Sequence, residues 1–319
     1  MNMKRHTFGT VVLAPIAWGT TAVVVTELLP PGRPLLVATL RVLPAGLLLL
    51  VAGRVASAWR PRGVEWRDTA VLAVCNFGLF FPFLVAALYR LPGGVAAAVG
   101  GIQPLLVLML SWAISDRRPR FGELVVGAVA VLGVSLVVVR PGAGLDPVGV
   151  LFAIAANVSF ALGVVLTKRF PAPSNRFAAT GWQMLIAAGL LLPVTLFVEG
   201  PPAHVTMRNL GGFAYLSVVA TGAAFVLWFN GIRRLPAAAP PLLGLAAPVT
   251  GALLGWIVLG QSLSLFQLSG FVITVAAIAR GASLREPEIR PHCSGATRGA
   301  VKSTQKVPIC VLESTPMRV

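Results

Sequence analysis

The sequence predicts an all-α integral membrane protein of ten transmembrane helices, arranged as two inverted five-helix repeats with both termini in the cytoplasm. Three observations predict it: ten apolar stretches long enough to cross a bilayer, a lopsided distribution of Lys and Arg between alternate loops, and residue identities that recur at a shift of 144 positions. Composition sets the solvent. With 56% hydrophobic and 11% charged side chains among 319 residues, a water-soluble globule would expose far too much apolar surface. The net charge of +16 does not signal nucleic acid, because the charges lie between apolar runs and form no basic face with interleaved aromatics.

A helix needs roughly 20 apolar residues to cross about 30 Å of hydrocarbon. Ten stretches meet that length, near residues 8 to 28, 34 to 53, 69 to 89, 93 to 114, 121 to 139, 148 to 167, 177 to 198, 210 to 232, 237 to 259 and 264 to 283. They are numbered here as spans 1 to 10. Gly and Pro interrupt several of them. Span 1 exceeds a signal-peptide core and lacks a small-residue cleavage site before span 2, so it is read as retained, with residues 1–7 as a short cytoplasmic segment.

Cytoplasmic loops retain Lys and Arg, which orients the chain. One set of alternate loops carries Lys4, Arg5, Arg54, Arg60, Arg62, Arg67, Arg117, Arg118, Arg120, Lys168, Arg169, Arg176, Arg233 and Arg234, and the other only Arg33, Arg90, Arg140 and Arg208. The N-terminus is therefore placed inside, and an even number of spans returns the C-terminus there. Residues 284–319 are basic, without a long apolar run, and read as a disordered cytosolic tail.

The shift of 144 superposes spans 3 and 4 on spans 8 and 9: Gly78 on Gly222, Phe81 on Phe225, Arg90-Leu91-Pro92 on Arg234-Leu235-Pro236, Gly100 on Gly244, Pro104 on Pro248 and Trp112 on Trp256. Ala45-Gly46-Leu47 falls on Ala188-Gly189-Leu190 at a slightly smaller shift. The repeats are read as residues 8–140 and 148–283. Each holds five spans, and an odd number makes the second copy enter the membrane from the opposite side. Inverted repeats place a substrate site near the midplane and allow two similar conformations that open to opposite sides, the geometry of alternating access.

The chemistry of the spans narrows the function. There is no GxxxxGK[ST] loop for a nucleotide, and His6, His204 and His292 all lie outside the spans, which removes an HExxH metal site and an embedded Ser/His hydrolase. Cys75, Cys293 and Cys310 show neither metal spacing nor a disulfide framework. No cofactor is implied. Glu27 is the one carboxylate clearly inside a span, while Asp68 and Glu123 sit at helix starts, where the macrodipole favours anions.

Arg41 is the one basic residue well inside a span, and such a charge is costly to bury. It could attract a carboxylate substrate; alternatively it snorkels outward, or pairs with Glu27 and fixes span 1 against span 2. Pro104 and Pro248, read as lying in mid-helix, free a carbonyl four residues earlier and permit symmetric bends, as a gate or as static packing kinks. Gly93-Gly94 and Gly100-Gly101 permit close helix approach. Thr20, Thr21, Asn76, Gln103, Asn157, Ser159, Gln183 and Asn230 are candidate cavity groups, since hydroxyls and amides in lipid need partners from protein, water or substrate. Each could equally bond a neighbouring helix. Trp18, Trp182 and Trp228 could stack on a planar substrate or anchor at the interface.

Together these features resemble the drug/metabolite transporter superfamily, in its EamA-like ten-helix form, over residues 8 to 283. The marks are Ala17-Trp18-Gly19-Thr20, Arg41 with Pro44-Ala45-Gly46, Leu91-Pro92, Gln103-Pro104-Leu105, Gly127, Gly133, Leu235-Pro236 and Pro248. The resemblance implies a secondary carrier in the cell membrane that exports amino acids, their derivatives or other small metabolites. The stretch from Glu27 to Leu35 followed by Arg41 is similar to the blue-pigment, or indigoidine, exporter branch. Family members often carry a basic residue where Glu27 stands, and the tail lies outside the family pattern. Such a protein needs a small-molecule substrate and a bilayer and works as a monomer or a homodimer. The competing reading of the same ten helices is a channel or a non-transporting scaffold.

Overall fold

The computed structural model describes residues 2–56, 59–91, 96, 99–115, 118–138, 146–202, 204–232, 235, 239–259 and 265–283. Pro92, Gly93, Gly94, Arg117, Arg140, Arg233, Arg234, Pro236, and the tail with His292, Cys293 and Cys310, lie outside the described residues. Among the described residues every regular element is helical. Six helices are long and apolar enough to cross a membrane: Gly9–Leu28, Pro34–Val55, Val64–Arg90, Pro147–Arg169, Arg176–Val198 and Met207–Ile232. Four shorter apolar helices, Gln103–Ile114, Phe121–Leu136, Leu242–Gly251 and Leu268–Ala277, complete the ten.

Local chemistry sets the ends. Span 6, Pro147–Arg169, starts with Asp146 accepting from the Val148 amide at 3.0 Å, has Pro147 in its first turn, and ends on Lys168 and Arg169, which suit the negative pole of the macrodipole. Span 7, Arg176–Val198, is capped by Asn175, whose Oδ1 accepts from the Ala178 amide at 3.1 Å. Span 8 opens on a capping box formed by Thr206 and Asn209.

Two kinds of irregularity recur in both halves. Span 3 runs Val64–Ala73, a π-turn at Val74–Gly78, then Phe80–Arg90; span 8 runs Met207–Ser217, a π-turn at Val218–Ala223, then Ala224–Ile232. The two π-turns begin at positions related by the same 144-residue shift that aligns Gly78 with Gly222. Spans 4 and 9 are both broken: span 4 turns at Gly101 and Ile102 and resumes as Gln103–Ser115, while span 9 comprises Ala239–Gly244 and Ala246–Leu259. This corrects the mid-helix placement of the prolines. Pro104 is the second residue of its segment and Pro248 the third of its own, where a missing amide costs nothing because first-turn amides have no intrahelical acceptor. Span 1 also breaks, at Thr20, between Asn2–Gly19 and Thr21–Leu28.

Spans 2 and 7 pack lengthwise against each other. At one end the Glu199 carboxylate, following span 7, accepts from the Leu35 and Leu36 amides at 2.7 and 2.8 Å and so caps the start of span 2. At the other, Asn175 Nδ2 donates to the Gly53 carbonyl at 2.8 Å, joining the start of span 7 to the last turns of span 2. The two helices are therefore antiparallel. At their crossing a Cβ on Gly46 would lie 3.2 Å from the Gly181 carbonyl oxygen, and one on Gly181 3.1 Å from that of Gly46, so glycine sets the close approach. Around this pair, span 1 packs on spans 8 and 9, span 6 on spans 3 and 4, and span 5 on span 10.

Candidate functional site

The interior is aromatic. Phe77, Phe81, Phe225 and Trp228 are fully buried and, with Phe160 and Phe229, form one cluster contributed by spans 3, 6 and 8. Trp18 of span 1 joins it, with ring centroids 4.9 Å from Phe225, 5.0 Å from Trp228 and 5.9 Å from Phe160. Phe160 is also stacked on Phe80, at 4.7 Å. Offset and edge-on pairs of this kind add to the burial of the rings themselves. Trp228 is thus a core residue and not an interfacial anchor; Trp182 instead packs edge-on against Trp66, 5.2 Å away.

Arg41 lies on the edge of this cluster and is 1% exposed. Its Nε donates to Thr221 Oγ1 at 2.6 Å and its Nη2 to the Ala220 carbonyl at 3.1 Å, both in the span 8 π-turn. Its guanidinium carbon sits 4.1 Å above the Phe81 ring, a cation–π contact with span 3. Among the described residues Nη1 has no hydrogen-bond partner. The expectation that Arg41 snorkels or pairs with Glu27 does not hold. Glu27 is exposed near the end of span 1, whereas Arg41 faces inward across span 8, and among the described residues no carboxylate is in salt-bridge range of it.

The other candidates divide into two groups. Trp18 Nε1 donates to the same Ala220 carbonyl at 3.0 Å, and Thr20 Oγ1 bonds both the Ala17 carbonyl at 2.7 Å and the Tyr215 hydroxyl at 2.9 Å, so both tie span 1 to span 8 beside Arg41. Gln103 is held near Trp228: a Cβ at Gly244 would meet Trp228 Cη2 at 3.6 Å and Gln103 Oε1 at 3.7 Å. Among the described residues, buried polar atoms without a hydrogen-bond partner include Gln103 Nε2, Trp228 Nε1, Thr21 Oγ1, Thr167 Oγ1, Gln183 Oε1 and both amide atoms of Asn76. Asn76 is wholly buried in the span 3 π-turn and packs directly on Gly163, where any side chain would collide with it. The remaining candidates have partners within the protein. Asn157 donates to the Ala153 carbonyl at 2.8 Å, Ser159 to the Cys75 carbonyl at 2.8 Å, and Asn230 accepts from Arg176, about two and a half turns along span 8 from Thr221.

Sequence reasoning missed Thr221, the Ala220 carbonyl, Phe81 and Tyr215 as site residues. Phe81 was visible only as a repeat identity, and Thr221 only as the neighbour of Gly222. Both rims are also tied by unforeseen contacts. Tyr89 Oη donates to the Pro30 carbonyl at 2.8 Å and Asn209 Nδ2 to the Leu28 carbonyl at 2.7 Å at one end; Lys168 Nζ donates to the Leu235 carbonyl at 2.7 Å and Arg169 Nη1 to the Ile114 carbonyl at 2.8 Å at the other. Arg90 pairs with Asp146 at 3.0 Å and, through that hydrogen bond above all, holds the Asp146 carboxyl below its ordinary range. A cleft at the Lys168 end is lined by Trp59, Glu65, Asp68, Thr69 and Phe170 and reaches Gln183.

A polar, partly unpartnered centre inside a helical bundle is the arrangement expected of a protein that moves a solute, and the relatives agree. The chain is 37% identical over 297 residues to Protein PecM of Dickeya dadantii, covering 91% of this chain and 97% of that one. It is 26% identical to a probable amino-acid metabolite efflux pump of Salmonella typhimurium, covering 86% and 94%. A crystal structure of a protein 21% identical in sequence superposes with a TM-score of 0.73 over 88% of this chain and 98% of that one, which shows the shared fold. The model of the EamA-like transporter family matches twice, over residues 8–139 and 147–280. With nearly all ten spans inside that double match, the chain is a multi-pass membrane transporter, not an enzyme, and belongs to the EamA-like transporter family.

Proposed function

We propose that the protein is a secondary transporter that exports a small metabolite across the cell membrane by alternating access, with residues 8–140 and 148–283 as inverted halves and both termini cytoplasmic. The observation that carries this reading is the antiparallel packing of spans 2 and 7. They occupy equivalent places in the two repeats, and equivalent helices running in opposite directions are what inversion produces. The exchange of partners between halves supports it: span 1 rests on span 8 as span 6 rests on span 3. Two conformations of similar energy follow when each half can adopt the other's arrangement. The excess of Lys and Arg in alternate loops supports the inside placement of the termini, and the bacterial relatives support the cell membrane.

The solute path runs between the halves past Trp18, Thr20, Thr21, Arg41, Asn76, Gln103 and Gln183. The segment starts at Pro104 and Pro248 serve as paired hinges, because each follows a break in its span. Ser159 and Asn230 hold helices together, while Asn157 bonds within its own helix. The Salmonella relative's description favours amino-acid metabolites as cargo, and the stretch from Glu27 to Arg41 favours the blue-pigment exporter branch. Cells expressing the protein, challenged with toxic amino-acid analogues and pigments, would identify a substrate, and purified protein in liposomes would then show saturable uptake accelerated by the same substrate on the far side. A non-saturable leak without counter-flow would instead indicate a channel or a scaffold.

A further inference from the structure

From the environment of Arg41 we infer that the transported molecule is an organic carboxylate, that its anionic group docks on the free Nη1 edge of Arg41, and that its apolar body lies against the aromatic cluster. The inference rests on the transporter reading and deepens it. A guanidinium carries five N–H donors, and here Nε and Nη2 each make one bond while Nη1 is buried without a partner among the described residues. Thr221 and Ala220 supply neutral oxygens, so the charge is solvated by dipoles and one ring but not balanced. A buried cation without a counter-ion is expensive, and a bound anion relieves that cost.

The second half shows that the fold does not require this charge. Spans 2 and 7 both have 23 residues, and aligning their starts pairs Ala45 with Ala187 and Arg41 with Gln183, one position from the register that puts Ala45 on Ala188 and Arg41 on the equally neutral Met184. The packing agrees with this pairing: a Cβ on Gly222 would meet Ala45 at 3.8 Å, and one on Gly78 would meet Ala187 at 4.0 Å. By this pairing a neutral glutamine, in the cleft beside Thr69 and Leu72 of span 3, holds the place in span 7 that Arg41 holds in span 2. An uncharged side chain suffices for packing there, so the cation at Arg41 has another role.

The neighbouring unpartnered groups have the same preference. Among the described residues Gln103 Nε2 and Trp228 Nε1 are donors without acceptors, so the region by the aromatic cluster offers hydrogen-bond donors to an acceptor-rich ligand. Trp18, which shares the Ala220 carbonyl with Arg41, and Phe225, 4.9 Å from it, form an apolar wall for the body of the molecule. A guanidinium edge takes a carboxylate in plane, and removal of such a charge-assisted contact costs affinity roughly tenfold or more.

The test compares indole-3-acetate with its neutral isostere indole-3-acetamide on the purified full-length protein, by quenching of tryptophan fluorescence and by thermal stabilisation. We expect the acid to bind at least about tenfold more tightly than the amide. Arg41→Gln should remove that preference, and Arg41→Lys should retain part of it. Equal affinity for acid and amide, a preference that survives Arg41→Gln in protein of normal melting temperature, or an equal response to inorganic phosphate alone would overturn the proposal. The acid and amide comparison uses the unmodified chain, so a misfolded variant does not shield it. Saturable counter-flow of any substrate without an acid preference would remove the carboxylate assignment alone, and absence of counter-flow would remove the transporter reading.

Discussion

The two π-turns of the protein have the same position in their spans and different chemistry around them. At Val218–Ala223 the Ala220 carbonyl and the Thr221 hydroxyl are engaged by Arg41, and the same carbonyl also receives Trp18. At Val74–Gly78 the Cys75 carbonyl receives only the neutral Ser159 hydroxyl, while Asn76 lies against Gly163 with its amide unpaired. A wider helical turn disturbs the regular pairing of amides and carbonyls, and such turns recur at functional sites. The comparison teaches that the backbone is nearly symmetric while the polar groups are not. Backbone symmetry suits two conformations of similar energy, and side-chain asymmetry suits a solute that has distinct ends.

The strongest way to break the comparison is to remove its shared aromatic support. Trp228→Ala should cost about 3–5 kcal/mol, by analogy with other buried aromatic truncations, and lower the melting temperature in detergent more than any polar substitution at the site. Gly163→Ala places a methyl on Asn76 and should cost about 1–3 kcal/mol by overpacking; Asn76→Ala in the same chain should restore much of the loss, because it empties the space the methyl needs. Exchanging the facing residues, Arg41→Gln together with Gln183→Arg, sharpens the comparison further. Transport should fall strongly, since the exchange takes the cation away from Thr221 and the Ala220 carbonyl and places it in span 7, and a chain that transported normally would show the polar asymmetry to be unimportant.

Smaller effects belong to the rims. Asn175→Ala removes a helix cap and the tie to Gly53 and should cost about 1 kcal/mol, read as a modest drop in melting temperature. The Arg90–Asp146 pair should contribute least, because it is solvent-exposed. Its sign is fixed nonetheless. The folded carboxyl is held below its ordinary value, so its contribution is complete above about pH 4, the ordinary aspartate range, and is lost as pH falls through the folded value. Asp146→Asn should therefore flatten a slight loss of stability in acid and leave neutral pH nearly unchanged.

Much of the fold was legible in the sequence, because hydrophobic length alone marks a membrane helix. The stretches expected at 34 to 53, 148 to 167 and 177 to 198 appear as Pro34–Ala56, Pro147–Arg169 and Arg176–Val198, each longer than expected at one or both ends. The π-turns were not legible. They add a residue to a turn without changing composition, and Gly78 and Gly222 were their only trace. Pro104 and Pro248 signalled an interruption, but whether proline bends a helix or starts one depends on where the preceding segment stops, which the glycines around Gly100 did not settle. At the candidate site the buried charge could be read from its position in span 2. Its partners could not, because Thr221 and Ala220 lie 180 and 179 residues away in the chain and reach Arg41 only when the halves pack together.

The central claim, reciprocal opening of two inverted halves, is tested most directly by two distances in one protein. Spin labels on Thr26→Cys and Val148→Cys report one rim and labels on Thr10→Cys and Phe177→Cys the other, with one label of each pair in each half and each pair in full-length protein with Cys75, Cys293 and Cys310 replaced by serine. The account predicts that each pair gives two distances and that substrate shifts them in opposite senses, one rim widening as the other narrows. Single distances at both rims that ignore substrate, or rims that widen together, would contradict it.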